Sequence, residues 1–147
     1  MLIVIATQNE INLVEQLGFK GNPILITGVG AMNTIRSLAS ISRDTEILNI
    51  GYCGSNNIAI GTLCKIGKVS MFHPNVEYNE DPIYLTNGTT ICYTSSDFVQ
   101  STTIEEPCVF DMELAFIASM GFKRLHSIKV VSDNLNYKEY EKNVEGK

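Results

Sequence analysis

Three acidic residues stand at places where carboxylates could do chemistry. Glu10 follows an apolar run at residues 2–6, Asp133 ends the apolar run 128–131 with Ser132, and Glu113 precedes the apolar segment 114–118. In open α/β sheets, ligands collect at the carboxyl ends of strands. A set of three such groups suits a reaction in which one carboxyl protonates a leaving group, one orders a water and one binds a sugar hydroxyl.

Each acid also has an ordinary structural interpretation. Asp111 is a natural N-cap for a helix predicted over 111–120, and Asp133 and Glu10 could cap the turns that follow their strands. The helix is apolar on all faces after Glu113, so a carboxylate in its first turn lies deep in the molecule. Because residues two apart on a helix point in different directions, we expect Asp111 to cap and Glu113 to face a cavity.

Other motifs point less clearly to a site. Gly28 and Gly30 lie between a predicted strand and helix, as in a dinucleotide turn, but Asn33 replaces the third glycine and no acid ends the next strand. A tight structural turn is at least as good an explanation. The four cysteines form no CxxC pair and the two histidines, His73 and His126, are isolated, so neither a zinc site nor any cofactor is expected.

Composition limits the class of protein. The 147 residues are 44% hydrophobic and 18% charged with a net charge of −5, which predicts one globular domain over 1–147 and no attraction to nucleic acid or anionic membranes. The first apolar run is too short for a signal segment. Free cysteines among apolar neighbours are typical of a reducing compartment, so we expect a cytoplasmic protein without metal.

The elements that must position the acids alternate between strand and helix. Predicted strands are residues 2–6, 23–27, 45–50, 66–72, 83–86, 89–94 and 127–132, and predicted helices are 9–17, 31–42, 111–120 and a charged segment from 137. The region 60–99 is expected to be antiparallel. The pattern predicts a three-layer α/β fold whose mixed, largely parallel central sheet is flanked by helices.

Six motifs in order resemble one family. They are residues 5–11 (IATQNEI), 27–33 (TGVGAMN), 49–54 (NIGYCG), 95–98 (SSDF), 111–113 (DME) and 131–133 (VSD). Together they resemble the nucleoside phosphorylase and nucleosidase superfamily, in particular the purine nucleosidases that hydrolyse methylthioadenosine and adenosylhomocysteine. The resemblance implies a phosphorylase/hydrolase-like fold, a small purine nucleoside as the partner, and a homodimer or higher homo-oligomer.

The resemblance also implies catalytic roles. Asp133 would protonate the purine at N7, with Ser132 orienting it, and Glu10 would position the attacking water. Glu113 would accept hydrogen bonds from ribose hydroxyls while Met112 packs on the sugar.

The remaining matched positions would bind substrate. Phe98 and Val99 would lie against the purine ring. Tyr52, Cys53 and Gly54 would lie beside the sugar.

Three departures from the family pattern bear on the reaction and its site. Asn49 stands where phosphorylases carry an arginine for phosphate, which favours water as the nucleophile. Tyr52 replaces a small hydroxyl residue, and only 14 residues separate Asp97 from Asp111. The alternatives are a phosphate-dependent purine nucleoside phosphorylase, or a catalytically reduced relative that only binds nucleosides.

Overall fold

The computed structural model describes residues 1–73 and 80–145. In this part of the chain the strands are β1 (Leu2–Ile5), β2 (Ile24–Ile26), β3 (Glu46–Ser55), β4 (Leu63–Met71), β5 (Ile83–Tyr84), β6 (Thr90–Thr94), β7 (Val109–Asp111) and β8 (Arg124–Asp133). The α-helices are α1 (Ile11–Gln16), α2 (Ala31–Leu38), α3 (Leu114–Ser119) and α4 (Tyr137–Tyr140). A 3₁₀ turn at Gln8–Glu10 precedes α1, and a π turn at Glu141–Glu145 follows α4.

Strand β3 organises the sheet. It pairs in parallel with β8 along one edge, and its other edge is shared by β1, in parallel, and β7, antiparallel. From β8 the pairing continues antiparallel to β4, parallel to β6 and parallel to β7, which returns to β3. Five strands therefore form a closed ring, with β1 and β2 extending from it and β5 added on β4.

Helices cover both faces of the sheet at β1 and β3. Helix α1 packs on one face through Leu13 and Val14, against Ile3, Ile5 and Ile50. Helices α2 and α3 pack on the other face, where the cluster is Val4, Leu38, Ile47, Ile117 and Phe122. The continuous apolar character of these strands follows from this two-sided burial.

The predicted α/β class and the mixed sheet are confirmed, since parallel and antiparallel pairings both occur. Two local predictions were wrong. The region 60–99, expected to be antiparallel, is so only in part: β4 pairs antiparallel with β5 but parallel with β6. Residue Asp111, expected to begin a helix, ends strand β7 because its backbone pairs with β6, and α3 begins three residues later, at Leu114. The ring itself was not predicted, and it changes a layered sheet into a partly closed one.

The four cysteines are free and buried, as expected. Within residues 1–73 and 80–145, no helix has the length and apolar character needed to cross a membrane. No group of three or more His, Cys, Asp or Glu side chains in the same residues is arranged to hold a metal ion.

Candidate active site

A cavity of about 320 Å³ lies where the strand ends meet, and the carboxylates of Glu10, Glu113 and Asp133 all line it. Strands β1, β3 and β8 are mutually parallel, so their carboxyl ends share one edge of the sheet. Glu10 follows β1, and Asp133 ends β8. The predicted convergence of the three acids on one cavity is therefore found.

Glu10 is held rigidly by backbone donors. Its Oε1 accepts hydrogen bonds from the amides of Ala6 (2.9 Å) and Thr7 (3.2 Å), and its Oε2 accepts one from the amide of Tyr52 (2.9 Å). A Cβ at Gly51 would lie 2.8 Å from Oε2, so the carboxylate reaches the Tyr52 amide only because residue 51 has no side chain. The 3₁₀ turn thus brings a buried acid against two strands.

Asp133 is almost fully buried, with 1% of its surface exposed. Its Oδ1 accepts a hydrogen bond from the Ser132 hydroxyl (2.8 Å), and its Oδ2 accepts one from the Leu135 amide (3.0 Å). Gly54 leaves room for this carboxyl, because a Cβ there would lie 2.8 Å from Oδ2. Burial raises the pKa of Asp133 above its ordinary value, although these hydrogen bonds oppose the shift. Asp133 therefore both caps a turn and lines the cavity.

Asp111 and Lys129 form a buried ion pair beneath the cavity. The Lys129 Nζ lies 3.1 Å from Oδ2 of Asp111, which also accepts a hydrogen bond from the Leu114 amide (2.8 Å). The second oxygen, Oδ1, accepts one from the Thr94 hydroxyl (2.5 Å). Asp111 thus accepts the amide that begins α3, although the N-cap residue of that helix is Glu113 and not Asp111 as predicted. Burial alone would raise the pKa of Asp111, but the Lys129 charge and these hydrogen bonds hold it below its usual range.

Glu113 is anchored far less tightly than the other acids. The Met112 amide donates to its Oε2 over 3.1 Å, a contact with its own neighbour. Burial, with repulsion from Asp111, raises the pKa of Glu113 to about 8. Glu113 therefore carries a proton over much of the neutral range. It lines the cavity, as predicted, with hydrogen-bonding capacity left for a ligand.

Three aromatic rings also line the cavity. The Phe98 ring lies edge-on to Tyr137 and Tyr140, with centroids 5.2 and 5.5 Å away, and the two tyrosine rings are 5.7 Å apart. Burial and the neighbouring carboxylates raise the pKa of Tyr140 to about 12. We name these three residues the aromatic wall. It fastens α4 to the segment that carries Phe98.

The other predicted contact residues are distributed unevenly. Those that line the main cavity are Tyr52, Cys53, Gly54, Met112 and Ser132, together with Phe98. Val99 does not line it, and contributes instead to an adjoining cavity of about 30 Å³ that Phe98 shares.

Sequence reasoning missed Lys129, Tyr137 and Tyr140. The local pattern placed Lys129 inside an apolar strand and the two tyrosines in a charged terminal helix. A lysine within an otherwise buried strand was the one available indication, because lysine is almost never fully buried without a partner.

The cavity is acidic. Its lining includes six carboxyl residues, and none of the described lining residues is Lys, Arg or His: the acids are Glu10, Asp97, Asp111, Glu113, Asp133 and Glu145. Lys129 does not line the cavity. Such a site favours neutral or cationic ligands over anionic ones.

No protein-family model matches the sequence, and no curated protein matches it. Among solved structures, a variant of the nucleosidase MTAN of Helicobacter pylori, with 5′-methylthioadenosine in its active site, superposes with a TM-score of 0.76 at 14% identity, covering 99% of this chain and 91% of that one. An MTAN of Chlamydia trachomatis gives 0.75 at 16% identity, with 99% and 87% covered. Futalosine hydrolase of Helicobacter pylori gives 0.74 at 14% identity, with 99% and 90% covered. The chain thus has the fold of the MTAN and futalosine hydrolase nucleosidases.

Proposed function

We propose that this protein is a purine nucleosidase, which hydrolyses the N-glycosidic bond of methylthioadenosine, adenosylhomocysteine or a similar nucleoside to base and ribose. The observation that carries the proposal is the convergence of Glu10, Glu113 and Asp133 on one cavity. Their three environments differ, and the reaction needs three different carboxyl groups. The shared fold supports the same conclusion.

Asp133 is the general acid. Its burial favours the protonated form, so it can hold a proton and deliver it to N7 of the purine as the C–N bond breaks. The base then leaves as a neutral molecule. The Ser132 hydroxyl, 2.8 Å from Oδ1, orients the carboxyl group.

Glu10 positions the water. A carboxylate offers about four lone-pair sites, and three backbone amides occupy most of them. Glu10 lines the cavity, so its remaining site can accept a hydrogen bond from a water directed at the anomeric carbon. The water adds its oxygen to that carbon and releases a proton to Glu10.

Glu113 and Met112 bind the ribose. As a carboxylate, Glu113 has acceptor sites free for two hydroxyl groups, since its one backbone donor is its neighbour's amide. Met112 lines the cavity beside it. The purine stacks on Phe98 at the aromatic wall, where ring contacts are worth about 0.5–1.5 kcal/mol beyond their area.

Water is favoured over phosphate as the nucleophile. Phosphate needs cationic or amide donors, and the described residues that line the cavity include no basic side chain. Asn49 stands at the position where phosphorylases carry an arginine for phosphate. It is buried and hydrogen-bonded to the Val4 carbonyl and the Ser127 hydroxyl. Its side chain therefore links β1, β3 and β8 within the sheet.

We also propose a homodimer or higher homo-oligomer. Met32 is 72% exposed on α2, and Ile35 and Val29 are exposed beside it. Val29 also lines the cavity, so a second copy packed on this surface would shield the site's open side. Light scattering after gel filtration tests this proposal. The four free thiols support a cytoplasmic location.

The nucleosidase proposal is tested by incubating the purified protein with methylthioadenosine, adenosylhomocysteine and inosine, with and without phosphate, and measuring the free base by chromatography. We expect base release without phosphate. Asp133→Asn should lower kcat by about 10²-fold or more, while Asp81→Asn, an exposed control, should not.

Two outcomes would replace this proposal. Phosphate-dependent formation of ribose 1-phosphate would make the protein a phosphorylase. Nucleoside binding in a calorimeter with no base released over hours would make it a binding protein that lacks catalysis.

A further inference from the structure

Lys129 is the largest fully buried side chain among the described residues, with 2% of its surface exposed. Burying an ammonium group is costly unless it is closely paired. This lysine lies in the middle of β8, between Ile128 and Val130 along the chain, and does not line the cavity. Its charge therefore affects the carboxyl groups of the cavity from beneath the cavity lining.

The surroundings of Lys129 are the acids of the site. Its Nζ lies 3.1 Å from Oδ2 of Asp111. A Cβ at Gly51 would lie 3.2 Å from this Nζ and 2.8 Å from Oε2 of Glu10, so the ammonium and the Glu10 carboxylate both lie close to this glycine. Lys129 therefore lies close to the carboxylates of both Asp111 and Glu10.

Glu113 has fewer fixed hydrogen-bond donors than Glu10 or Asp133. The charged and titratable groups that face it from the packed elements are Asp111 of β7, Lys129 of β8, Glu10 of the 3₁₀ turn and Tyr140 of α4, with Asp133 and Glu145 across the cavity. Two of the nearest are anions and one is a cation. Adjacent buried carboxylates cannot both ionise without a counter-charge.

We infer that Lys129 is a positioning residue for the proposed ribose subsite: paired with Asp111 beneath the cavity, its buried ammonium favours the carboxylate form of Glu113 that would bind the ribose hydroxyls. The geometry gives the reason. Asp111 is satisfied by Lys129 and by the Leu114 amide, so its charge is balanced locally. Without the ammonium, no cation would balance the two adjacent buried carboxyls, and only one of them could ionise. Asp111, which keeps the Thr94 and Leu114 donors, would ionise first, and Glu113 would keep its proton.

The electrostatic surroundings of Glu113 agree with this geometry. Burial and Asp111 raise the pKa of Glu113 to about 8, and the Lys129 charge and the Met112 amide oppose the rise. Burial would lower the pKa of Lys129 itself, but Asp111 and Glu113 hold it above its ordinary value, so the lysine stays charged. A permanent cation is what this role requires.

The test is a ¹³C NMR titration of glutamate side-chain carboxyls, with the Glu113 signal identified by its loss in Glu113→Gln. We expect a midpoint near pH 8 in the natural protein. Lys129→Met should raise it by roughly one pH unit or more. Lys129→Arg, which keeps the charge, should restore the natural midpoint.

A matched pair keeps the test valid if Lys129→Met does not fold. Asp111→Asn and the double variant Asp111→Asn/Lys129→Met both lack the Asp111 charge, and they differ only in the lysine. The double variant leaves neither partner of the ion pair charged, a change that proteins often tolerate. Its Glu113 midpoint should be higher by roughly one pH unit, and coincident midpoints would overturn the inference.

The inference rests on the proposed function only for the ribose ligand, and the two can fail separately. If the protein hydrolyses nucleosides, KM should fall as pH rises through the Glu113 midpoint, and Lys129→Met should move that fall to higher pH with less effect on kcat. Hydrolysis with an unmoved NMR midpoint would refute the role of Lys129 alone. A moved midpoint without base release would refute the nucleosidase proposal alone.

Discussion

Replacing Glu10 by glutamine should destabilise the fold, because no amide can reproduce the three hydrogen bonds that this carboxylate accepts. The two amides of Ala6 and Thr7 converge on Oε1, and the Tyr52 amide points at Oε2. A glutamine has one acceptor oxygen. In either orientation its NH₂ group meets at least one backbone N–H, so a donor faces a donor.

The size of the effect follows from these contacts. A hydrogen bond to a charged group contributes about 1.5–3 kcal/mol, and a buried donor left unpaired costs a similar amount. Losing one such bond and weakening the others should lower the free energy of unfolding by about 3 kcal/mol. With a urea slope of roughly 2 kcal/mol/M, the unfolding midpoint should fall by about 1.5 M.

Urea unfolding followed by far-UV circular dichroism measures this, since the chain has no tryptophan. Glu15→Gln is the matched control: it makes the same chemical change on an exposed position of α1 and should stay within about 0.5 kcal/mol of the natural protein. Equal midpoints for Glu10→Gln and Glu15→Gln would refute the anchoring of Glu10 described above.

Three further predictions concern the other walls of the cavity. The pKa of Glu113 is about 8 in the folded protein and 4.5 ordinarily. Because the folded state binds the proton more tightly, the free energy of unfolding should fall as pH rises from 4.5 to 8, relative to Glu113→Gln. Urea unfolding across that pH range measures the difference. Gly54→Ala places a methyl group 2.8 Å from Oδ2 of Asp133 and should cut nucleoside hydrolysis at least tenfold in the base-release assay, and full activity would show that this carboxyl can move freely. Phe98→Ala removes two edge-on ring contacts worth about 0.5–1.5 kcal/mol each, so amide hydrogen exchange in α4 should accelerate roughly tenfold, while Tyr84→Ala on an exposed ring should leave it unchanged.

The sequence was most informative where local pattern and burial agree. Strands β1, β2, β3 and β8 were each predicted from an apolar run. The bounds of β1 and β2 were predicted to within one residue, whereas β3 continues to Ser55 and β8 begins at Arg124. Closure of the ring depends on pairings between distant segments, such as Ser55 with Val109, which no local period records. Strand β7 has three residues, too few for an alternating pattern, so its last residue was assigned to the following helix.

The candidate site shows the same division. The acids were predicted because strand ends and helix starts are visible in the sequence. Lys129 was not, because the interior of a strand gives no sign of which side chain across the sheet it will meet. Tyr137 and Tyr140 belong to a segment whose charge suggested a solvated helix, and their place in the aromatic wall depends on Phe98, far away in the chain.

The three carboxyl groups differ in how many fixed donors hold them, and this order matches the proposed reaction. Glu10 has three backbone donors before any ligand arrives, which suits a group that must orient water without moving. Asp133 has one amide and one neighbouring hydroxyl, enough to fix its direction while burial keeps its proton available. Glu113 has a single amide from its own neighbour and a pKa of about 8, so it is the group whose charge can respond to the ligand. Because its ionisation depends on the buried ion pair behind it, substrate binding should be the step most sensitive to pH.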